Sequence, residues 1–269
     1  MNTCIVRRSL AAASVLLLLV PTAGCSAIPG SGGQVSGSGN VVTKQYDYNG
    51  FTGLRVDHTF AATVTRGDAF GVTVTADDNL VQHLRVEVKG DTLHIGLDPG
   101  MSYRNATLTA DVTLPSLQAL EVTGASTADV REFASQDALE LMLSGGSKIS
   151  LTGVRAGQVT MDVSGAGQLS GELQAQEIRG QASGAGQVTL EGSASRAQLE
   201  ASGAGKLDLG ALTLQDTDLQ LSGGASGAVR VTGTLNVQAS GGAHLDYYGS
   251  PTIGTMDVSG GAQVNDAGD

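Results

Sequence analysis

From Phe51 to about Val122 the hydrophobic positions recur at every second residue. Val72-Thr73-Val74-Thr75, Leu84-Arg85-Val86-Glu87-Val88 and Leu93-His94-Ile95-Gly96-Leu97 alternate cleanly. Leu54, Val56 and Val64 sit in similar Thr/Val-rich runs. A period of two predicts strands with one buried face. Arg66-Gly67-Asp68, Asp77-Asp78-Asn79, Lys89-Gly90-Asp91 and Asp98-Pro99-Gly100 break the pattern between them. Gly90-Asp91 predicts a tight hairpin, because glycine tolerates the positive φ such turns require. No stretch here carries a helical period.

Further on, the pattern becomes a repeat. A Ser-Gly pair followed by two small residues begins at Ser144-Gly145, Ser164-Gly165, Ser183-Gly184, Ser202-Gly203, Ser222-Gly223, Ser240-Gly241 and Ser259-Gly260, with a degenerate first copy at Thr123-Gly124. Successive copies start 18 to 21 residues apart. Apolar residues commonly stand one, three and five places before the Ser, as in Leu139/Leu141/Leu143 and Val159/Met161/Val163. Others stand five and seven places after it, as in Val188/Leu190 and Leu207/Leu209. The copy at Ser222 is one or two residues out of register, which predicts an insertion or bulge there.

A unit of about 19 residues at roughly 3.3 Å per residue makes a loop some 60 Å around, one coil with three short faces. Coils stacked at roughly 4.8 Å merge their inward residues into a continuous core. The sequence therefore predicts an all-β protein, a parallel β-helix (β-solenoid) preceded by a β-strand region that packs on or caps it. The small-residue motifs become tight corners, with the Ser hydroxyls stacked in a ladder. A β-propeller is disfavoured, since its blades take about 40 residues and carry aromatic signatures. Solenoid ends invite pairing unless capped, and the polar C-terminus offers little cap, so a homo-oligomer is allowed.

The remaining segments bound localisation. Arg7 and Arg8 precede an apolar run from Ser9 to Val20, the layout of an export signal. Thr22-Ala23-Gly24-Cys25 resembles the bacterial lipobox, departing from it at Thr22, where Leu is preferred. The mature chain would hold one cysteine, at its first residue, and that residue is read as a lipid attachment point. Four segments follow: a lipoprotein signal over 1–24, a Gly/Ser-rich tether over 25–45, an N-terminal strand region over 46–122 and the β-helix over 123–269. The expected location is exported, on the cell membrane or cell surface.

Charge and chemistry narrow the function. The chain has 15 basic residues, two of them in the leader, against 26 acids. That balance argues against nucleic acid, which needs clustered Lys and Arg. Asp162 and Asp257 share the position two before the Ser and could stack on one face, but scattered acids read more simply as solvated. His58, His83, His94 and His244 show no metal-ligand spacing. The Gly-Ala-Gly copies lack the Asp of calcium-binding nonapeptides and the Lys-Ser/Thr of phosphate loops. Between Gly124 and Asp246 the sole aromatic is Phe133. Tyr247 and Tyr248 are read as capping the core or marking a small contact patch. No catalytic residue, metal or cofactor is expected.

With Phe51-Thr52-Gly53-Leu54, Asp77-Asp78-Asn79-Leu80 and Leu120-Glu121-Val122-Thr123-Gly124-Ala125-Ser126 in place ahead of the repeats, residues 50 to 265 resemble the head GIN domain family of putative auto-transporter adhesins. The resemblance implies an exported, often lipid-anchored β-helix, and carries over no catalytic residues. The expected role is contact: adhesion, envelope scaffolding, or binding of a surface protein or glycan. The alternative is a carbohydrate-active enzyme or glycan-binding protein on the same frame.

Overall fold

Each Ser-Gly corner joins the alternating run before it to the alternating run after it, and stacking those runs builds the fold. The computed structural model describes residues 33–268, which form a parallel β-solenoid of about seven turns. Strands are numbered β1 to β21 along the chain. Those leading into corners are β3 (Gly53–Val56), β10 (Ala119–Val122), β12 (Ala138–Leu143), β18 (Thr234–Ala239) and β20 (Thr252–Val258). Those leaving corners are β4 (Ala61–Arg66), β11 (Thr127–Arg131), β17 (Ser226–Val231), β19 (His244–Tyr248) and β21 (Gln263–Asp266). Between them β13 (Lys148–Val163), β14 (Gln168–Ala182), β15 (Gln187–Ala201) and β16 (Lys206–Leu221) each run from one corner to the next.

The inward columns form one apolar core. Leu120, Leu141, Met161, Leu199, Leu219 and Val237 are all buried in one column, broken only by Gly180 between Met161 and Leu199. Burying one such side chain stabilises by roughly 1.5–3 kcal/mol.

At the corners the backbone carries the stacking. Gly124, Gly145, Gly165, Gly184, Gly203, Gly223, Gly241 and Gly260 all have φ between +65° and +73°. From Gly145 onward, a Cβ on any of these glycines would lie 2.6–3.1 Å from backbone atoms of the corner before it. Glycine meets both demands. The next residue donates its N–H to the preceding corner glycine's carbonyl, as in Gly146 to Gly124 and Ala166 to Gly145, both 2.7 Å. The corner serines stack in register without bonding to one another, and the Ser164 hydroxyl donates to the Leu143 carbonyl at 3.1 Å. Equivalent atoms on coils ~4.8 Å apart stand beyond the ~2.5–3.0 Å reach of an O–H···O bond.

The N-terminal strands are β1 (Gln34–Ser36), β2 (Val41–Tyr46), β5 (Gly71–Asp77), β6 (Leu84–Lys89), β7 (Thr92–Leu97), β8 (Ser102–Arg104) and β9 (Leu108–Leu114). Strands β3 and β4 make the first coil, pairing in parallel with β10 and β11. The chain then turns back: β7 lies parallel on the other side of β3, and β9 on the other side of β4. Antiparallel β6 closes one sheet on β7, and antiparallel β5 and β2 close the other on β9. The strand region thus packs on one end of the solenoid. Lys89 pairs with Thr92 around Gly90-Asp91, the expected two-residue hairpin.

Three local readings need correction. Residues 34–36 and 41–45, placed in the tether, belong to β1 and β2; these strands pair with β8 and β5, which are distant in sequence. The breaker at Asp77-Asp78-Asn79 opens a short 3-10 helix over Asp78–His83, with Leu80 buried. The irregularity at the Ser222 copy lies on the preceding strand, where Gly210 to Leu212 have no partner on β17 between the Leu209–Val229 and Thr213–Arg230 pairs.

Candidate functional site

On the face formed by β12, the second halves of β13 to β16, β18 and β20, outward side chains stack into two columns. Register places Met142, Asp162, Gln181, Glu200, Gln220, Gln238 and Asp257 in one column. Glu140, Thr160, Arg179, Gln198, Asp218 and Asn236 form the other. Between them runs an open trough of about 740 Å³ that also touches Thr255.

The trough is held by short local bonds. Asn236 donates from Nδ2 to Asp218 at 2.8 Å and accepts the Thr255 N–H at 2.8 Å, which ties three coils together. Arg179 bonds Glu177 at 2.8 Å. Gly180 takes an inward position between Met161 and Leu199, whose side-chain ends close over it. Asp162 and Asp257 share the column as expected, but five coil steps separate them, ~24 Å at the strand spacing. Glu140, Asp162, Glu200 and Asp218 are all exposed. A general acid working near neutral pH needs burial or a like-charged neighbour to keep its proton, and solvated carboxylates spread over successive coils lack that burial.

A second polar cluster lies at the capped end. Arg55 bonds Asp57 at 3.1 Å and Glu121 at 3.0 Å, while Thr123 donates to Asp57 at 2.7 Å. Arg85 donates to Asp98, and His83 Nδ1 lies 3.2 Å from the same carboxylate. The Arg85 bond first, then the His83 bond, hold the Asp98 carboxyl below its ordinary range. Tyr103 donates to the Asp98 carbonyl at 3.1 Å and sits between the rings of His58 and His83, at 6.1 and 5.9 Å. Folding brings these two histidines together; their separation in sequence gave no sign of it.

The other residues singled out fall as follows. Cys25 lies outside the described residues. The Ser-Gly corners form the backbone ladder. His94 stacks beside Arg55, and His244 lies 3.4 Å from Asp246. Tyr247 packs against the core, whereas Tyr248 faces Arg230 at 5.4 Å. Among the described residues no three His, Cys, Asp or Glu side chains group as metal ligands, and no helix is long and apolar enough to cross a membrane.

Together these features define a capped parallel β-solenoid with a polar trough along one face. The chain belongs to the family described as putative auto-transporter adhesin, head GIN domain, whose model matches residues 50–171 and again 139–251. Overlapping matches are what stacked, near-equivalent coils allow. Solved structures share the fold. A putative adhesin from Parabacteroides merdae superposes with TM-score 0.77 at 18% identity, over 86% of this chain and 98% of that one. A putative lipid binding protein from Parabacteroides distasonis gives 0.80 at 19%, and a putative adhesin from the same species 0.77 at 21%, both with the same coverage. No curated protein matches the chain.

Proposed function

We propose that this is an exported protein, lipid-anchored through Cys25, that acts by contact and not by catalysis, with the trough as its contact surface. The observation that carries the reading is the pair of outward columns. They repeat an amide or a carboxylate group at every coil, ~4.8 Å apart, along one continuous line. Such a line suits an extended partner lying along the axis, and its acids disfavour an anionic one. A neutral, hydroxyl-rich surface glycan fits that chemistry, because carboxylates and amides accept from and donate to hydroxyls. Membership of a family of putative adhesins supports the contact role. A lipid-carrying role is less favoured, since the solenoid interior is filled by buried side chains.

The test has two parts. Cys25→Ser is expected to release the protein from the cell surface; unchanged retention would refute the anchor. Beads coated with the protein should capture neutral glycans from an array, and Gln181→Ala/Gln220→Ala/Asn236→Ala should cut that capture at least tenfold. Equal capture by the triple variant would remove the trough from the mechanism.

A further inference from the structure

The two ends of the solenoid are built differently. At the capped end both outermost strands carry charge. Strand β6 presents Arg85, Glu87 and Lys89, and β2 places Lys44 opposite buried Val74, on the core side of the sheet. Charges along an edge strand, and above all a charge pointing inward, are how sheets block pairing with another chain. The other end has no such guard. Every residue of β20 is exposed, and β20 and β21 each pair on one side only. Ile253, Met256 and Val258 stand in register with buried Leu235, Val237 and Ala239, yet are 41%, 38% and 44% exposed. They hold core register on the last of the described coils. The one charge on β20 is Asp257, which points outward in the trough column.

We infer that this open end binds the open end of a second copy of the chain. An end-to-end pair related by a two-fold axis presents the same surface on both sides. It would set β20 against its symmetry mate, satisfy the free edge groups and enclose both sets of three apolar residues. Head-to-tail stacking would instead place β20, with Ile253, Met256 and Val258, against the charged strand β6, and β21 against β2 with its Lys44. One coil of about 19 residues is at the lower limit of the roughly 20–30 residues per side of a standard interface. The pair is therefore expected to be reversible and not obligate.

The geometry also gives the pairing a direction. Gly33 and β1 join the capped end, where the Gly33 carbonyl accepts the Ser102 N–H at 3.1 Å. An end-to-end pair thus places its two copies of Gly33 at opposite ends. Resting on the lipid-anchor reading above, such a pair bridges two opposed membranes: the partner in contact is a second copy on a neighbouring surface.

Sedimentation of residues 33–269, which hold the whole described core, is expected to show a monomer–dimer equilibrium. Small-angle scattering should give a dimer about twice as long as the monomer. Met256→Lys and, separately, Val258→Thr should each weaken the dimer, the first at least tenfold, with circular dichroism unchanged. Val42→Lys on β2 should leave it intact. Raising salt should strengthen association, because it screens repulsion between two acidic copies. A monomer at every concentration, a side-by-side dimer, longer oligomers, or a dimer indifferent to Met256→Lys would each overturn the inference. Lipidated full-length protein should then cluster vesicles, and Met256→Lys should abolish clustering. Dimers in solution without vesicle clustering would overturn the bridging role, while Cys25→Ser retention and glycan capture test the anchor and the trough separately.

Discussion

His58 stands beneath Gly124 at the base of the corner column, with φ +73° and its carbonyl accepting the Ala125 N–H at 2.7 Å. A Cβ on Gly124 would come within 2.5 Å of that carbonyl. The column therefore begins on a histidine and continues on glycines, because each later corner must approach the one before it. His58 keeps this unfavourable conformation with help from its ring, whose Nδ1 accepts the Leu97 N–H at 3.3 Å. Gly203→Ala, in the middle of the column, combines a left-handed φ of +67° with a carbonyl 3.1 Å away. It is expected to destabilise by at least ~1–2 kcal/mol, read as a lower denaturation midpoint.

Ser126 and Ser147 occupy the fourth corner position on neighbouring coils, and both hydroxyls are buried without a hydrogen-bond partner. The same position holds buried Ala225 and Ala243 further along. Ser147→Ala removes an unsatisfied polar group and leaves the backbone ladder intact, so it is expected to stabilise by ~1 kcal/mol. Thr217, also buried and unpartnered, should respond likewise to Val. Both gains would appear as higher urea midpoints at unchanged slope.

The repeat was legible in sequence because each coil restates one local demand: small residues at the corner and alternation on either side. The Gly90-Asp91 hairpin was legible for the same reason. The first coil was hidden. Its corner residues, Asp57-His58-Thr59-Phe60, lack the motif, and the excursion through β5 to β9 separates them from Thr123. Strand β2 was missed because it is an exposed edge, where Val41-Val42-Thr43-Lys44-Gln45 needs no alternation. The trough was visible only as Asp162 and Asp257. Its amide neighbours line up through stacking register, and the bulge at Gly210 to Leu212 and the unequal repeat lengths blur that register in sequence.

Asp77 shows what fixes the entry of the chain. Its buried carboxylate accepts the N–H of Gly39 at 2.7 Å and of Thr107 at 2.7 Å, joining β1 and β2 to the loop before β9. Beside it, Ser38 donates to Asp78 at 2.6 Å and Asn79 donates to the Ser36 carbonyl at 2.8 Å. An Asn at position 77 has one acceptor oxygen and would turn its NH2 toward one of the two donors. Asp77→Asn is expected to cost ~1.5–3 kcal/mol, the value of a hydrogen bond to a charged group. Amide exchange at Gly39 and Thr107 should quicken while the central coils stay protected.

The Asp98 contacts should hold the cap until the pH falls below the ordinary carboxylate range. Arg85 and then His83 lower its folded-state pKa, so its contribution is present above the unfolded value of ~3.9 and is lost as pH falls through the folded value. Arg85→Gln removes the larger cause. The Asp98 carboxyl should then titrate closer to ~3.9 in carbon-detected NMR, and the pH at which the cap signals broaden should rise. A titration unmoved by Arg85→Gln would assign the shift elsewhere.

Lys44 provides the complementary test of how the two ends are kept apart. It lies between Val42 and Tyr46 on the core side of β2, opposite Val74, where an apolar residue would extend the sheet's buried face. Replacing it with Val joins exposed Val41 and Val42 into an unguarded edge strand. The capped end would then be able to receive the open end of another copy, and head-to-tail contacts do not close. Lys44→Val is therefore expected to convert a reversible dimer into concentration-dependent filaments, visible by electron microscopy. Adding Met256→Lys to the same chain should suppress them, because a head-to-tail contact that joins β21 to β2 also sets β20 against β6. Filaments that persist in the double variant would show that another surface drives them and that Lys44 does not guard this edge.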